Sequence, residues 1–451
     1  MRKRISAFFS VLAAIVLLTV PASAASSGST LKIICADAGQ VIFTPPGSTQ
    51  YAYRYGPAIL IDGDRIDIWA SAPPLVSNGV RYGNDSIEYI RSTDGGKTWT
   101  EWKTVLYPTL NSEDQWSTCD PGAFKYGDYY YVGYTGSPEF RTNPDKEKQV
   151  NNLFIARAKN PEGPYEKWNG NGWGGDPYAI TRYSGDGVGC SMPSFTVKGD
   201  TLYMYYVDQT HPDQDWNSEG NISVSTFSLK DPNWPGNELS NKMCENKPEE
   251  VRYCPDIDKF IGFQLKGGWD YDSYVEIYES TDGVNFTKTS SFRNNFPHYA
   301  HNIGISGNNL GQLDLSIQNY IGTAYTPTGV EAWWGHWHTQ LIPLYIREEQ
   351  PSSTTSSQPS GSTDSSSQKP TTSSVGSTDG ESSETEVSEP QNSNIESTVS
   401  DDKDKDKEVN NKTEQQEETS YLWLYIVIGA VVVLAGAGTA VYFLVIKKKH
   451  V

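Results

Sequence analysis

The chain has 451 residues and a net charge of −19 at pH 7. This acidic balance argues against nucleic acids and anionic membrane surfaces as binding partners. The five cysteines include no C-x-x-C pair, which argues against a structural zinc site. Their odd number means that at least one thiol is unpaired in an exported chain, or that the set is reduced, although the loop between Cys244 and Cys254 is short enough for a disulfide.

The N-terminus has the three parts of a secretory signal peptide. Residues 2–4 are basic, residues 7–20 are mainly apolar, and the small triplet at residues 22–24 has the A-x-A form. The apolar run is too short to span a bilayer comfortably. We therefore predict a signal peptide over residues 1–24, cleaved near its last residue.

The stretch that follows has the composition of an all-β domain. Short runs rich in Val, Ile, Tyr, Phe and Trp alternate with clusters of Gly, Asp, Asn and Pro. No long run has the 3.6-residue period of a helix. The prediction for residues 28–348 is therefore a single all-β domain.

One pattern recurs along this domain. Each copy has a residue followed by proline, an apolar strand, a turn rich in Gly and Asp, and an aromatic strand, which is the chemistry of a tight hairpin. The prolines of the four clear copies are Pro57, Pro121, Pro193 and Pro255. Their spacings of 64, 72 and 62 residues leave room for four strands in each copy.

These copies predict a closed ring of sheets. Four-stranded sheets repeated around one axis form a β-propeller. A shorter fifth copy begins near His301, so we predict five blades. The strand at residues 31–36 is predicted to close the ring by joining the last blade.

Two blades carry a second turn motif. Residues 92–99 follow the Asp-box pattern S-x-D-x-G-x-T-W in full, and residues 280–286 are a degenerate copy. In this pattern the Asp side chain accepts backbone N–H bonds, a Gly supplies the positive φ, and the aromatic residue packs between sheets. We therefore predict structural rather than catalytic roles for Asp94 and Asp282.

Three features together resemble the five-bladed β-propeller glycoside hydrolases, in particular the arabinanase and xylosidase type of glycoside hydrolase family 43, with sialidase-type Asp boxes. They are Cys119-Asp120-Pro121 before a Tyr-rich hairpin, the Gly163-Pro164 hairpin, and the repeated strands. The resemblance implies hydrolysis of glycosidic bonds by carboxylates at the mouth of the central channel. It implies an Asp base on blade one, a supporting Asp on blade two and a Glu acid on blade three.

Only the blade-two carboxylate of that set has a counterpart in this chain. Asp120 precedes Pro121 as the resemblance requires, and it is the predicted catalytic residue. Gly56 and Met192 occupy the places of the base and the acid, and neither side chain can transfer a proton. Cys254 holds the corresponding place in the fourth copy. Inverting hydrolysis needs two carboxyl groups about 6.5–9.5 Å apart. The absence of carboxyl groups at residues 56 and 192 therefore puts the family's mechanism in question for this chain.

Four further residues are predicted to bind substrate. Arg54 and Arg252 each lie three residues before the proline of their copy, from where two guanidinium groups would converge on one anionic sugar group. Asp208 lies near the second strand of the third copy. The resemblance places His301 near the channel or a calcium ion. The alternative is a surface position for each arginine and a solvated loop carboxylate for Asp208.

The sequence leaves three functions open. The first is a glycosidase that acts around Asp120, and the second is a carbohydrate-binding propeller that lacks the base and the acid. The third is a structural or adhesion module. An extracellular poly- or oligosaccharide is the expected partner for the first two. No cofactor or metal site is certain, although a structural calcium ion is compatible with the resemblance.

The C-terminal part predicts attachment to a membrane. Residues 349–420 are rich in Ser, Thr and acidic side chains, which predicts a disordered linker. Residues 421–446 are uncharged, and a helix of that length spans roughly 39 Å at about 1.5 Å per residue, enough to cross a bilayer. The three lysines in the tail, residues 447–451, mark the cytoplasmic side. We therefore predict a single-pass cell-membrane protein with its N-terminal domain outside.

Overall fold

The computed structural model describes residues 29–47, 52–143, 146–182, 188–210, 220–328, 330 and 335–349. The predicted signal peptide, membrane helix and tail lie outside these residues, as does all of the predicted linker except Glu349. Within the described ranges, no helix is long and apolar enough to cross a membrane.

The described residues form 25 β-strands and no α-helix, which confirms the all-β prediction for this part of the chain. In chain order the strands are β1 (Thr30–Cys35), β2 (Gln40–Phe43), β3 (Tyr55–Asp62), β4 (Arg65–Ala72), β5 (Leu75–Ser77), β6 (Val80–Tyr82), β7 (Ser86–Ser92), β8 (Lys103–Leu106), β9 (Ser117–Tyr126), β10 (Tyr129–Ser137), β11 (Phe140–Asn143), β12 (Lys146–Gln149), β13 (Asn152–Ala158), β14 (Glu166–Lys167), β15 (Gly189–Lys198), β16 (Thr201–Gln209), β17 (Asn221–Ser228), β18 (Glu238–Met243), β19 (Glu250–Cys254), β20 (Lys259–Lys266), β21 (Tyr274–Ser280), β22 (Thr287–Phe292), β23 (Ala300–Gly307), β24 (Asn319–Tyr325) and β25 (His338–Glu349).

These strands are arranged in five four-stranded antiparallel units, which we call blades one to five. From the inside outwards they are β3-β4-β7-β8, β9-β10-β13-β14, β15-β16-β17-β18, β19-β20-β21-β22 and β23-β24-β25-β1. The short hairpins β5–β6 and β11–β12 are additions to blades one and two, and β2 pairs with β25. A short parallel pairing of β23 with β3 joins blade five to blade one.

The blades follow one another in a closed cycle. The first strand of each blade contacts the first strands of both neighbouring blades, from β3 through β9, β15, β19 and β23 back to β3. Each of the five interfaces between blades holds its own buried apolar cluster, represented in turn by Trp69 with Tyr134, Phe124 with Phe195, Tyr205 with Phe260, Ile277 with Ile303, and Leu341 with Ile61. This cyclic connectivity is that of a five-bladed propeller, in which blade-to-blade packing replaces a single core.

Burial along the strands explains their sequence patterns. Strand β10 is covered on both faces by its neighbours, and it is an almost continuous run of buried residues. Strand β1 is an outer strand in which buried and more exposed residues alternate. It pairs with β25 along its length, with Ile33 opposite Ile346, so the first strand of the domain completes the last blade. The predicted ring closure is confirmed.

The alignment of the fourth copy was wrong. Cys254 is the last residue of β19, and Pro255 begins the hairpin turn that leads to β20. The innermost strand of blade four therefore lies before this proline and not after it. In blades one to three the proline lies inside the first strand. The sequence pattern around Pro255 thus predicted a hairpin correctly. It placed Pro255 at the start of the first strand of blade four, whereas the proline follows the end of that strand.

The five cysteines are all buried and unbridged. The possible disulfide between Cys244 and Cys254 is therefore absent, because these residues pack in different blade interfaces. Burial raises the pKa of both thiols to about 12. They serve as small apolar side chains in the packing of blades three to five.

The two Asp-box residues close hairpins in the manner predicted. Asp94 accepts hydrogen bonds from the backbone N–H and the hydroxyl of Thr98, at 2.9 and 2.7 Å, and from Ser92. Asp282 accepts bonds from the backbone N–H groups of Val284 and Asn285 at 2.9 and 2.8 Å. These bonds hold the pKa of both carboxyl groups below the ordinary value. The boxes connect β7 to β8 and β21 to β22, at the outside of blades one and four.

Candidate functional site at the axial mouth

A β-bulge occurs at equivalent positions in the first strands of four blades. Gly56, Asp120, Met192 and Asn302 have left-handed φ values of 57°, 47°, 57° and 57°. The pairing register of β3, β9, β15 and β23 shifts at these residues. In three blades the next residue is proline, which has no N–H to donate to a strand ladder. A bulge redirects its side chain out of the regular pleat, so these positions are suited to form a site.

The bulge residues of different blades lie next to one another. A Cβ atom added to Gly56 would lie 3.6 Å from Oδ1 of Asp120. The backbone N–H of Met192 donates to Oγ1 of Thr135 in blade two at 2.9 Å. The amide of Asn302 lies 3.6 Å from the Met192 sulfur. We call the region bounded by Gly56, Asp120, Met192 and Asn302 the axial mouth.

Asp120 is the bulge residue of the axial mouth that carries a titratable side chain. Its backbone N–H donates to Oγ of Ser71 at 2.7 Å, which fixes the bulge against blade one. Burial raises the pKa of its carboxyl group to about 6, against the opposing hydrogen bonds from Thr135 and Cys119. The negative charge of Asp85 raises this pKa further. Asp120 can therefore exchange a proton near neutral pH, as general acid–base chemistry requires.

Asp85 is a second carboxylate in this region that the sequence did not reveal. It precedes β7 in blade one and is 4% exposed. Its oxygens accept hydrogen bonds from the hydroxyl of Tyr53 at 2.5 Å and from Ser117 at 2.8 Å. Burial raises its pKa. Because Asp85 lies just before the third strand of its blade, far from the repeated proline, the proline pattern gave no signal for it.

An aromatic cluster includes Tyr55 and His301, the sequence neighbours of the bulge residues Gly56 and Asn302. The His301 ring, beside the bulge residue Asn302, stacks on Trp337 with centroids 4.3 Å apart, and it lies 4.5 Å from Trp269 and 5.4 Å from Tyr55. Burial lowers the pKa of His301 to about 3, so its imidazole is neutral at physiological pH. Trp269 is 36% exposed and offers a ring to solvent. Such a surface suits the apolar face of a sugar ring.

The structure does not bring the two predicted arginines to one point. Arg54 forms a 2.5 Å ion pair with Glu88, and its guanidinium lies over the rings of Phe43 and Trp102. Glu88 lies in β7 and Trp102 directly precedes β8 in blade one, while Phe43 lies in β2, which pairs with blade five. Burial lowers the pKa of Arg54. Arg54 thus packs between blades, away from the contacts that define the axial mouth.

Arg252 lies among the first strands of three blades. Its guanidinium pairs with Glu250 at 2.8 Å, donates to Oγ of Ser194 at 2.7 Å and donates to the carbonyl of Ile305 at 3.1 Å. Arg252 is 5% exposed, and burial lowers its pKa. It therefore joins blades three, four and five, and its hydrogen-bonding groups are used within the protein.

Asp208 lies at the mouth end of blade three. Asp208 pairs with Cys190 in the strand ladder, and Cys190 lies two residues before the bulge residue Met192. Its carboxylate accepts hydrogen bonds from Thr210 at 2.8 Å and from Ser223 at 3.2 Å. Asp208 thus holds the end of its own blade together beside the axial mouth.

Across the part of the chain that the structure describes, no group of three or more His, Cys, Asp or Glu side chains is placed to hold a metal ion. The structural calcium ion stays a prediction.

Comparisons with known proteins add solved structures of glycoside hydrolases. The chain matches no family model and no curated protein. It is similar to the α-L-arabinofuranosidase of Podospora anserina in complex with cellotriose, with 11% identity and a TM-score of 0.45 over 73% of this chain and 99% of that one. It is also similar to a family 117 glycoside hydrolase of Zobellia galactanivorans, with 15% identity and a TM-score of 0.45 over 71% of this chain and 90% of that one. An α-L-arabinofuranosidase from Lactobacillus brevis has 13% identity to this chain and a TM-score of 0.44, over 64% of this chain and 90% of that one. At these values the likeness assigns no family or activity to this chain.

Proposed function

We propose that this protein is a glycoside hydrolase-like propeller that binds an extracellular oligo- or polysaccharide at its axial mouth. The observation that carries the proposal is the convergence of four bulge residues beside a partly exposed tryptophan. A carboxylate and an amide, Asp120 and Asn302, are suited to bind sugar hydroxyl groups, while Trp269 is suited to pack against a sugar ring.

Binding without hydrolysis is the form of this function that the geometry favours. Gly56 and Met192 occupy two of the four bulge positions and cannot transfer a proton. Among the described residues nearby, Asp85 and Glu250 are carboxylates whose oxygens are bound by other side chains. Asp120 by itself cannot act as the acid and the base of one inverting step.

Hydrolysis is the second candidate, and the raised pKa of Asp120 favours it. A carboxyl group with a pKa of about 6 keeps a protonated fraction at mildly acidic pH, as a general acid must. If Asp120 is that acid, sugar release will decrease as the pH rises above about 6. The complementary base would have to come from a group other than Gly56 or Met192.

One experiment distinguishes these candidates. Purified full-length protein is titrated calorimetrically with cellotriose, xylotriose and arabino-oligosaccharides, and sugar release is measured in parallel. The Asp120→Asn variant is compared with Asp176→Asn, which makes the same change at an exposed position between β14 and β15. Binding that is weakened only by Asp120→Asn, without sugar release, supports the binding function. Sugar release that is lost in Asp120→Asn supports hydrolysis, and failure to bind any glycan overturns both candidates.

The proposed location is the cell membrane, with the propeller outside and one C-terminal helix across the bilayer. The sequence patterns at residues 1–24 and 421–446 support this proposal. Protease added to intact cells should release fragments of the propeller and leave a membrane-bound C-terminal fragment. Complete protection of the propeller in intact cells, with cleavage after lysis, would contradict it.

A further inference from the structure

A second concave site lies between blades one and two, at the opposite end of the first strands from the axial mouth. It has a volume of about 370 Å³ and is lined by Arg65, Arg91, Lys125 and Lys159 together with Asp128 and Glu162. Arg65 follows the β3–β4 turn, and Lys125 precedes the β9–β10 turn. We call this site the basic cleft.

The two arginines of the basic cleft share one carboxylate. Nε of Arg65 lies 2.8 Å from Asp67 and Nε of Arg91 lies 3.2 Å from it, while Asp67 is 3% exposed. The single negative charge of Asp67 therefore balances only one of the two positive guanidinium charges.

Aromatic contacts hold the cations in place. The Arg65 guanidinium lies 5.6 Å from the centre of the Tyr130 ring, and the Lys125 ammonium lies 4.9 Å from it. Arg91 lies over the Tyr89 ring and donates to its hydroxyl group at 2.6 Å. Side chains that are already ordered lose less conformational freedom when they bind an anion. The cleft is thus preorganised for an oxyanion.

The acidic side chains of the cleft restrict the charge of its ligand. Asp128 and Glu162 are exposed, and they would repel a ligand that carries several negative charges. Carboxylates are good acceptors for hydroxyl groups, and Asn160 adds an amide that both donates and accepts. The volume is at the lower end for small-molecule sites and exceeds the need of a lone inorganic ion. These features together fit one anionic group that is attached to a polyhydroxylated ring.

We propose that the basic cleft binds an acidic sugar through a single carboxylate or sulfate monoester. The arginines take the anionic oxygens, with Lys125 and Lys159 beside them, and the acidic side chains accept the ring hydroxyl groups. This site is separate from the axial mouth and does not depend on the function proposed there. It gives the protein a second carbohydrate contact, selective for charged glycans, in a chain whose overall charge is negative.

The test measures binding to purified full-length protein by calorimetry at low ionic strength. The probes are glucuronic acid, glucose 6-sulfate, glucose and inorganic sulfate. The variant Lys125→Gln/Lys159→Gln is compared with Lys32→Gln/Lys242→Gln, which removes two exposed lysines from blades five and three. We expect both acidic sugars to bind more tightly than glucose or sulfate. The cleft variant should weaken them roughly tenfold, as should an increase in salt, while the control variant binds normally.

Asp120→Asn separates this site from the axial mouth, because it should leave binding of the acidic sugars unchanged. Loss of acidic-sugar binding in Asp120→Asn, but not in the cleft variant, would move that ligand to the axial mouth and overturn the proposal. Equal affinity for glucose, an affinity for inorganic sulfate as high as that for the sugars, or no binding of either acidic sugar at millimolar concentration would also overturn it.

Discussion

Asp120 has a left-handed backbone conformation and a carboxyl group with a raised pKa. Its left-handed φ of 47° is tolerated by Asp better than by most residues. Burial in the axial mouth raises its pKa to about 6 from the ordinary value of 3.8. Residues held in this way are frequent at functional sites, where the cost in stability is compensated by the rest of the fold.

The raised pKa predicts a pH dependence of stability. Between pH values of about 4 and 6 the folded chain binds more protons at Asp120 than the unfolded chain, so this group makes stability fall as the pH rises. Asp120→Asn should therefore raise the free energy of unfolding by about 1–3 kcal/mol at pH 7 and change it little at pH 4. Urea unfolding at several pH values measures this effect, with Asp128→Asn as the control. An identical pH dependence in wild type and Asp120→Asn would contradict the assignment.

Arg252 and Glu250 form a buried ion pair among the first strands of three blades. Removal of the arginine leaves an uncompensated carboxylate, so Arg252→Met should destabilise the protein by about 3–5 kcal/mol. The double variant Arg252→Met/Glu250→Gln should recover much of this loss, because no unpaired charge remains. Denaturant unfolding of both variants tests the pair. A loss below about 1 kcal/mol in the single variant would show that the pair does not hold these strands together.

At the scale of strands, the sequence predicted the hairpins well and misplaced the first strand of blade four. The Gly-Asp turns at residues 63–64, 127–128 and 199–200 each connect the first two strands of a blade, because glycine supplies the positive φ that these turns need. Pro255 misled the alignment of blade four because proline is suited both to a bulge and to a turn. Local chemistry alone does not distinguish these two uses.

The same limit applies to the candidate site. The residue-proline pattern located Gly56, Asp120 and Met192, since a bulge has a local sequence requirement. The contacts of Asp85 and Trp269 depend on how separate blades pack, and no short-range pattern encodes that packing. Arg54 and Arg252 looked equivalent only because Pro57 and Pro255 were equated.

Strand β1 closes the ring by pairing with β25, and this closure makes a prediction about stability. Ile33 is 1% exposed in the interface between blades four and five, whereas its neighbour Ile34 is 38% exposed. Ile33→Ala should reduce the free energy of unfolding by about 2–4 kcal/mol, since it removes buried methyl groups and leaves a cavity. Ile34→Ala is the matched control and should cost much less. Equal losses in urea unfolding would mean that β1 does not close the ring by apolar packing.

Within the described residues the five blades follow one another in a cycle, and four of them contribute a bulge residue to the axial mouth. Five interfaces of similar construction hold the first strands in a cycle, so residues distant in sequence meet at the axial mouth. The residues of the axial mouth are separate from the apolar clusters between blades, so they can be substituted without change to that packing.

Carbohydrate binding at the axial mouth would be visible in a crystal structure of the protein soaked with the neutral oligosaccharide that binds best in calorimetry. We predict sugar density within hydrogen-bonding distance of Asp120 or Asn302, with one ring packed against Trp269. Ordered sugar elsewhere on the protein, with the mouth occupied by solvent or side chains, would contradict the account.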